Sequence, residues 1–95
     1  MFDLLFHDRA LKSYKRLDES HKRQINRVLD GIARDPLGSP GVKPLRGELA
    51  GLHSKRVGNY RLIIEVRVTE RKVYVLAIGP RGDIYKQGFI GQNRS

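Results

Sequence analysis

Two arginines, Arg56 and Arg61, flank the Gly58-Asn59 pair inside LHSKRVGNYRLIIEV, residues 52–66. A Gly-Asn pair between two strand-like runs predicts a two-residue hairpin loop. The register follows: Val57 faces Tyr60, Arg56 faces Arg61, Lys55 faces Leu62 and Ser54 faces Ile63. Side chains alternate along a strand, so the two guanidinium groups share a face in directly opposed positions. Like charges opposed in this way destabilise a sheet, and an anion held between them offsets that cost. Two solvated arginines splaying apart on an exposed face are the plainer alternative. Arg81 and Tyr85 lie just beyond the last strand-like run, where sheet pairing brings them towards the same place. Three guanidiniums and a phenol suit a phosphodiester, because guanidinium binds its free oxygens and stabilises a pentacoordinate transition state. Beside cations, Tyr85 is a base, a platform for an RNA base, or a plug at the core edge.

Other chemistries find little support. His7, His21 and His53 are far apart in the chain and lack partners at metal-ligand spacing, so no metal site and no cofactor are expected. His53 falls near the arginine pair, where a titrating imidazole has a use. GVKPLRG does not follow a strand and open a helix, so it is not a phosphate-binding loop. Cysteine is absent, which removes disulfides and thiolate chemistry together.

The 95 residues form a single domain over 1–95 with one modest core, and 86–95 read as a loose tail. Lys and Arg number 19 against 10 Asp and Glu, a net charge of +9. That balance suits nucleic acid, an anionic surface or an acidic protein partner. The opening MFDLLF is too short for a signal or membrane segment, so a cytoplasmic chain without membrane contact is expected.

The elements that position these residues follow from periodicity. Phe2, Leu4 and Phe6 alternate with polar or outward residues, a first strand. Asp8 then caps a helix carrying Ala10, Leu11, Tyr14 and Leu17. Asp18 or Ser20 starts a second helix with a stripe of Ile25, Val28, Leu29 and Ile32, which Asp35-Pro36 ends. Residues 36–47, with three prolines and three glycines, read as a stiff loop from which Lys43 and Arg46 project. Three strands follow, the last (VYVLAI, 73–78) apolar on both faces. The expected fold is α+β, β-α-α-β-β-β, a helical hairpin packed on a twisted, mainly antiparallel four-stranded sheet. Lys55 falls on the apolar face, so it must snorkel, or a bulge must shift the strand.

KPLRGELAGL (43–52), RVGNYRLIIEV (56–66), VLAIGPRGDIYK (75–86) and RALKSYKRLD (9–18) together resemble the RelE/ParE toxin superfamily of type II toxin–antitoxin systems. The resemblance covers nearly the whole chain and implies the RelE-like fold. RelE-like members are ribosome-dependent endoribonucleases that cut mRNA in the A site, and ParE-like members poison DNA gyrase. Both are held inactive by a cognate antitoxin, here expected to be acidic. Arg61 is similar to the arginine after tyrosine in the GxYR-like turn, Arg81 to the arginine after the last strand, and Tyr85 to the tyrosine four residues on. Arg56 matches the second of two basic residues on the preceding strand, and the first falls on Ser54, which carries no charge. The resemblance thus implies Arg61, Arg81 and Tyr85 as catalytic residues and Arg56 as a substrate contact. Lys55 replaces the charge missing at Ser54 if a one-residue bulge shifts it, or that role is absent. Lys43 and Arg46, projecting from the loop, are further expected substrate contacts. The Arg/Tyr pair favours the mRNA interferase; a gyrase-directed toxin or a non-catalytic basic RNA-binding module are the alternatives.

Overall fold

The computed structural model describes residues 1–80, so Arg81, Tyr85 and the tail 86–95 lie outside the described residues. The elements run β1 (Asp3–Phe6), α1 (Asp8–Lys15), α2 (Glu19–Arg34), β2 (Lys43–Pro44), a 3-10 turn (Gly47–Leu49), β3 (His53–Val57), β4 (Tyr60–Arg67) and β5 (Lys72–Pro80). The sheet order is β1-β5-β4-β3-β2, with β1 parallel to β5 and every other pair antiparallel. The expected helical hairpin on a mainly antiparallel sheet is present, with one strand more than the four read from periodicity. That extra strand is only two residues long, too short to leave a periodic signal. Lys43 pairs with Ser54 and Pro44 with His53, and Leu45 N donates to Leu52 O at 2.9 Å just beyond. An edge is where a strand tolerates proline, which has no N–H to donate.

Caps set the helix limits. His7, not Asp8, is the N-cap of α1: its Nδ1 accepts from Arg9 N at 3.2 Å. The His7 backbone N–H also donates to Val75 O at 2.9 Å, so the strand runs directly into the helix, and Asp8 becomes its first residue. A carboxylate there still meets the positive end of the helix dipole. Asp18 caps α2, accepting from His21 N at 2.9 Å and lying 2.8 Å from His21 Nδ1. Asp35 closes α2 ahead of Pro36, and Ser39 Oγ lies 3.0 Å from Gly31 O and 2.8 Å from Asp35 O. Tyr14 Oη donates to Asn26 Oδ1 at 2.7 Å, tying the two helices together.

The helices cover one face of the sheet. Ile25, Leu29 and Ile32 of α2 pack with Leu62, Ile64, Val73 and Val75, while Leu11 of α1 stays 37% exposed at the edge of this core. Truncating a fully buried side chain such as Ile64 to Ala is worth about 2–5 kcal/mol, a large part of a domain's typical stability. The opposite face carries a smaller cluster of Leu52, Ile63 and Ala77, flanked by Leu45, Leu49 and Leu76 from around the 3-10 turn and β5. A bulge divides β5 between these two cores. Ile63 pairs with Ala77 and Ile64 with Val75, leaving Leu76 as the extra residue. From there on, Ile78 faces the helices and Gly79 faces away. Among the described residues no helix is long and apolar enough to cross a membrane.

Hydrogen bonding from the His21 backbone, then from its ring, holds the Asp18 carboxyl below the usual carboxylate range. A depressed carboxyl contributes stability above its unfolded value, and that contribution fades as pH falls through the folded value. Asp18→Ala should therefore lower the melting temperature at about pH 7, with the gap to wild type closing towards about pH 3. Thermal melts of both proteins across that range check it, and a gap constant with pH counts against the ionised cap.

Candidate functional site

The turn at Gly58-Asn59 builds the candidate site. Gly58 has φ +59°, the left-handed region that a residue with a side chain enters at a cost of about 1–2 kcal/mol. Asn59 is not in that region, so the turn matches the hairpin type that needs glycine at its first central position. The observed register is Val57↔Tyr60, Arg56↔Arg61, Lys55↔Leu62, Ser54↔Ile63 and His53↔Ile64, without a bulge. A two-residue hairpin closes on a hydrogen-bonded pair, so Arg56↔Arg61 is the next, non-hydrogen-bonded pair. There Cα atoms approach to about 4.5 Å and side chains come closest.

Arg61 is flanked on its other side by Gly79 of β5. The row Arg56–Arg61–Gly79 therefore crosses three strands on the face away from the helices, and its third member has no side chain. The neighbouring row on this face is Lys43–Ser54–Ile63–Ala77. Lys43 and Arg56 are exposed, Arg61 is half-buried, and Ser54 is only 7% exposed. Lys43 thus stands directly across from Ser54, bringing a positive charge to the row where Ser54 itself has none. The sequence hid this, because two residues of edge strand look like loop.

Two expected members lie elsewhere. Lys55 faces the helices, where it lines a cavity of about 230 Å³ with Val28, Ile32 and Pro40. Its Nζ donates to Pro40 O at 2.8 Å, so it snorkels, and no bulge brings it to the arginines. His53 is likewise on the helix side, between Pro44 and Ile64, and the sheet separates it from the arginine pair. This corrects its expected nearness, since residues three apart on a strand point to opposite faces. Arg46 is exposed just ahead of the 3-10 turn, outside the ladder. Arg81 and Tyr85 are outside the described residues.

Charge on this face is segregated. No acidic residue occurs between His53 and Ile64. Glu65 and Glu70 sit at the far end, 3.4 Å and 3.6 Å from Arg67, whose guanidinium also lies 4.6 Å from the Tyr74 ring centre. First Glu65 and then Glu70 favour the charged form of Arg67 and push its pKa up. Between His53 and Ile64 the hairpin contributes Lys55, Arg56 and Arg61 and no carboxylate, and a guanidinium pair is suited to an anion of more than one oxygen. Among the described residues, no three His, Cys, Asp or Glu side chains gather to hold a metal ion.

Residues 4–85 match the family model described as the ParE toxin of the type II toxin–antitoxin system parDE. The chain is 41% identical over 56 residues to Toxin RelG of Mycobacterium tuberculosis, a stretch covering 59% of this chain and 62% of that toxin. Among solved structures it is similar to the toxin–antitoxin complex RelBE2 of Mycobacterium tuberculosis. The TM-score there is 0.74 at 30% identity, over 84% of this chain and 98% of the other. An archaeal RelE–RelB complex from Pyrococcus horikoshii gives a TM-score of 0.74 at 26% identity, over 85% of this chain and 96% of the other.

If the opposed arginines exist for an anion, the ligand-free protein carries their repulsion, a cross-strand penalty of about 0.2–1 kcal/mol. Arg56→Gln should raise the melting temperature at low salt, and the gain should shrink as salt screens the pair. For a domain of this size 1 kcal/mol corresponds to about 4–8 °C, so part of the penalty is measurable. A lower melting temperature in Arg56→Gln at every salt concentration assigns the arginine to stability instead.

Proposed function

The chain belongs to the ParE toxin family, within the RelE/ParE superfamily of type II toxin–antitoxin toxins, and from that premise we propose that it is a ribosome-dependent mRNA endoribonuclease. The observation that carries this reading is the register that sets Arg56 opposite Arg61, beside the Lys43–Ser54 row and with Gly79 as the next cross-strand neighbour. The proposed reaction needs no metal ion. The ribose 2′-oxygen bonds to the adjacent phosphorus while the bond to the 5′-oxygen breaks, giving a 2′,3′-cyclic phosphate. The 2′-hydroxyl proton passes to a base, and the departing 5′-oxygen gains a proton. Arg61 meets the charge gathering on the phosphorane, and Arg56 holds the ground-state phosphate. By resemblance, Arg81 assists the leaving oxygen, and Tyr85 either aids deprotonation or stacks on a base. Lys43 supplies the charge that Ser54 cannot, and Arg46 extends the contact along the RNA. The substrate is mRNA in the ribosomal A site, which puts the work in the cytoplasm.

The family match to ParE toxins favours a second reading, a gyrase-directed toxin without nuclease activity. A supercoiling assay beside an mRNA-end map from translating ribosomes separates the two.

The partner in this proposal is an acidic antitoxin, as the RelE–RelB neighbours are toxin–antitoxin complexes. A groove of about 260 Å³, lined by Leu4, Phe6, Leu11, Tyr14 and Leu29 with Asn26 and Asp30, runs between the helices and β1, which among the described residues pairs only with β5. Such a groove suits an acidic segment that folds on contact. Co-purification from the native host should yield a small acidic protein, and repeated failure to find one counts against the toxin reading.

On translating ribosomes, Arg61→Ala should lower cleavage by about 10²–10³-fold, the scale for removing a preorganised charge-stabilising donor. Lys43→Met should lose more activity than Lys55→Met, because Lys43 shares the arginine face and Lys55 does not. The reverse order argues that Lys55 leaves Pro40 to reach the substrate. Tyr85→Phe with full activity leaves stacking as the role of that ring.

A further inference from the structure

A second cavity, of about 240 Å³, opens at the hairpin end of the molecule. Its walls are Ser13, Arg16 and Leu17 at the end of α1, Tyr60 at the start of β4, and Ile78, Gly79 and Pro80 at the end of β5. The lining is mixed. Leu17, Ile78, Pro80 and the Tyr60 ring are apolar, whereas the Ser13 hydroxyl, the Arg16 guanidinium and the Tyr60 hydroxyl are polar. Among the described residues none of these three groups makes a hydrogen bond or ion pair, although each flanks the same space. The Tyr60 ring is steadied from outside by His21, 5.0 Å away in an edge-on contact. His21 is in turn held by Asp18 at 2.8 Å.

Position matters as much as lining. Tyr60 is adjacent in the chain to Arg61, and Gly79 is both a wall of the cavity and the cross-strand neighbour of Arg61. The cavity therefore lies at the same end of the sheet as the arginine row, on the opposite, helix-facing side. At about 240 Å³ it falls below the roughly 300–1,000 Å³ of pockets for drug-sized ligands, which suits one planar ring system. Aromatic rings and arginine planes beside unpaired hydrogen-bonding groups are how proteins hold single-stranded bases.

We propose that this cavity is a nucleobase pocket, which seats a base of the same RNA strand whose phosphate Arg56 and Arg61 hold, the strand passing round the hairpin end of the sheet. This rests on the reading of the chain as an RNA-cleaving toxin. The Tyr60 ring packs on the base, Arg16 and the Ser13 hydroxyl read its edge, and the pocket contributes to which sequence is cut.

The test is an amide NMR titration of the full chain with each of the four nucleoside 5′-monophosphates, and with ribose 5-phosphate as control. Saturable shifts at Ser13, Arg16, Tyr60 and Gly79 are expected with the nucleotides and not with the control. Arg16→Gln should weaken that binding by about tenfold or more, the loss usual for a hydrogen bond to a charged group. Ser13→Ala should change the ranking of the four bases, whereas Tyr60→Phe, which keeps the stacking ring, should leave it unchanged. Equal shifts with ribose 5-phosphate reduce the site to phosphate binding and overturn the pocket. Unmoved resonances also overturn it, and if an acidic antitoxin peptide moves them instead, the cavity belongs to a protein. No ribosome or cleavage enters this measurement. A chain that binds nucleotides here but cuts no RNA loses the nuclease reading alone, and one that cuts RNA with these resonances unmoved loses the pocket alone.

Discussion

One backbone angle governs the functional end of this molecule: the positive φ of Gly58. It closes the β3–β4 turn in two residues, and a two-residue turn leaves no freedom in the register. A slip by one position would send every side chain of β3 to the other face. Arg56 would then enter the helix side and Lys55 would take its place opposite the sheet's open face. The cost of putting two guanidiniums together is thus enforced by geometry, and the strands that enforce it are fixed by the apolar core beneath. Leu62 and Ile64 hold β4 down on one face, Ile63 on the other, and Arg61 is carried with them.

The bulge at Leu76 completes that arrangement from β5. Strict alternation from Val73 would turn Ala77 and Gly79 towards the helices and Ile78 outwards. The inserted residue reverses this, so Ile78 fills the main core and Gly79 comes to lie beside Arg61. A larger residue there would crowd the guanidinium from one side. Stability and access are reconciled by a single irregularity, as is common where a strand borders a functional site.

The contrast between what the residues announced and what they concealed is physical. The hairpin register was legible because Gly-Asn between alternating runs has few conformational solutions. The α2 start at Asp18 and its end at Asp35-Pro36 were legible because capping and proline sterics are local. β2, the Leu76 bulge and the choice of His7 over Asp8 as the first cap were not. Each depends on a backbone group meeting a partner distant in sequence: Lys43 with Ser54, Ile64 with Val75, His7 N with Val75 O. Lys55 was half legible, since the register put it on the apolar face, but only Pro40 O shows where its charge goes. At the site, the opposed arginines could be read from spacing, and Lys43 was expected as a substrate contact, whereas its pairing with Ser54 could not be read.

The parallel pairing of β1 with β5 has a bearing on how the protein is made. Asp3 pairs with Lys72 and Phe6 with Val75, so the first strand must wait for nearly the last part of the sheet before it has a neighbour. Closing a loop of that length costs about 4 kcal/mol in chain entropy before any contact repays it. In chain order β5 follows the helices and the arginine hairpin. The strand that pairs with Ile64 and sets Gly79 beside Arg61 is therefore made after the arginines it flanks. A chain not yet extended through β5 lacks the strand that joins β1 to β4, and its Arg61 lacks the flank that Gly79 provides.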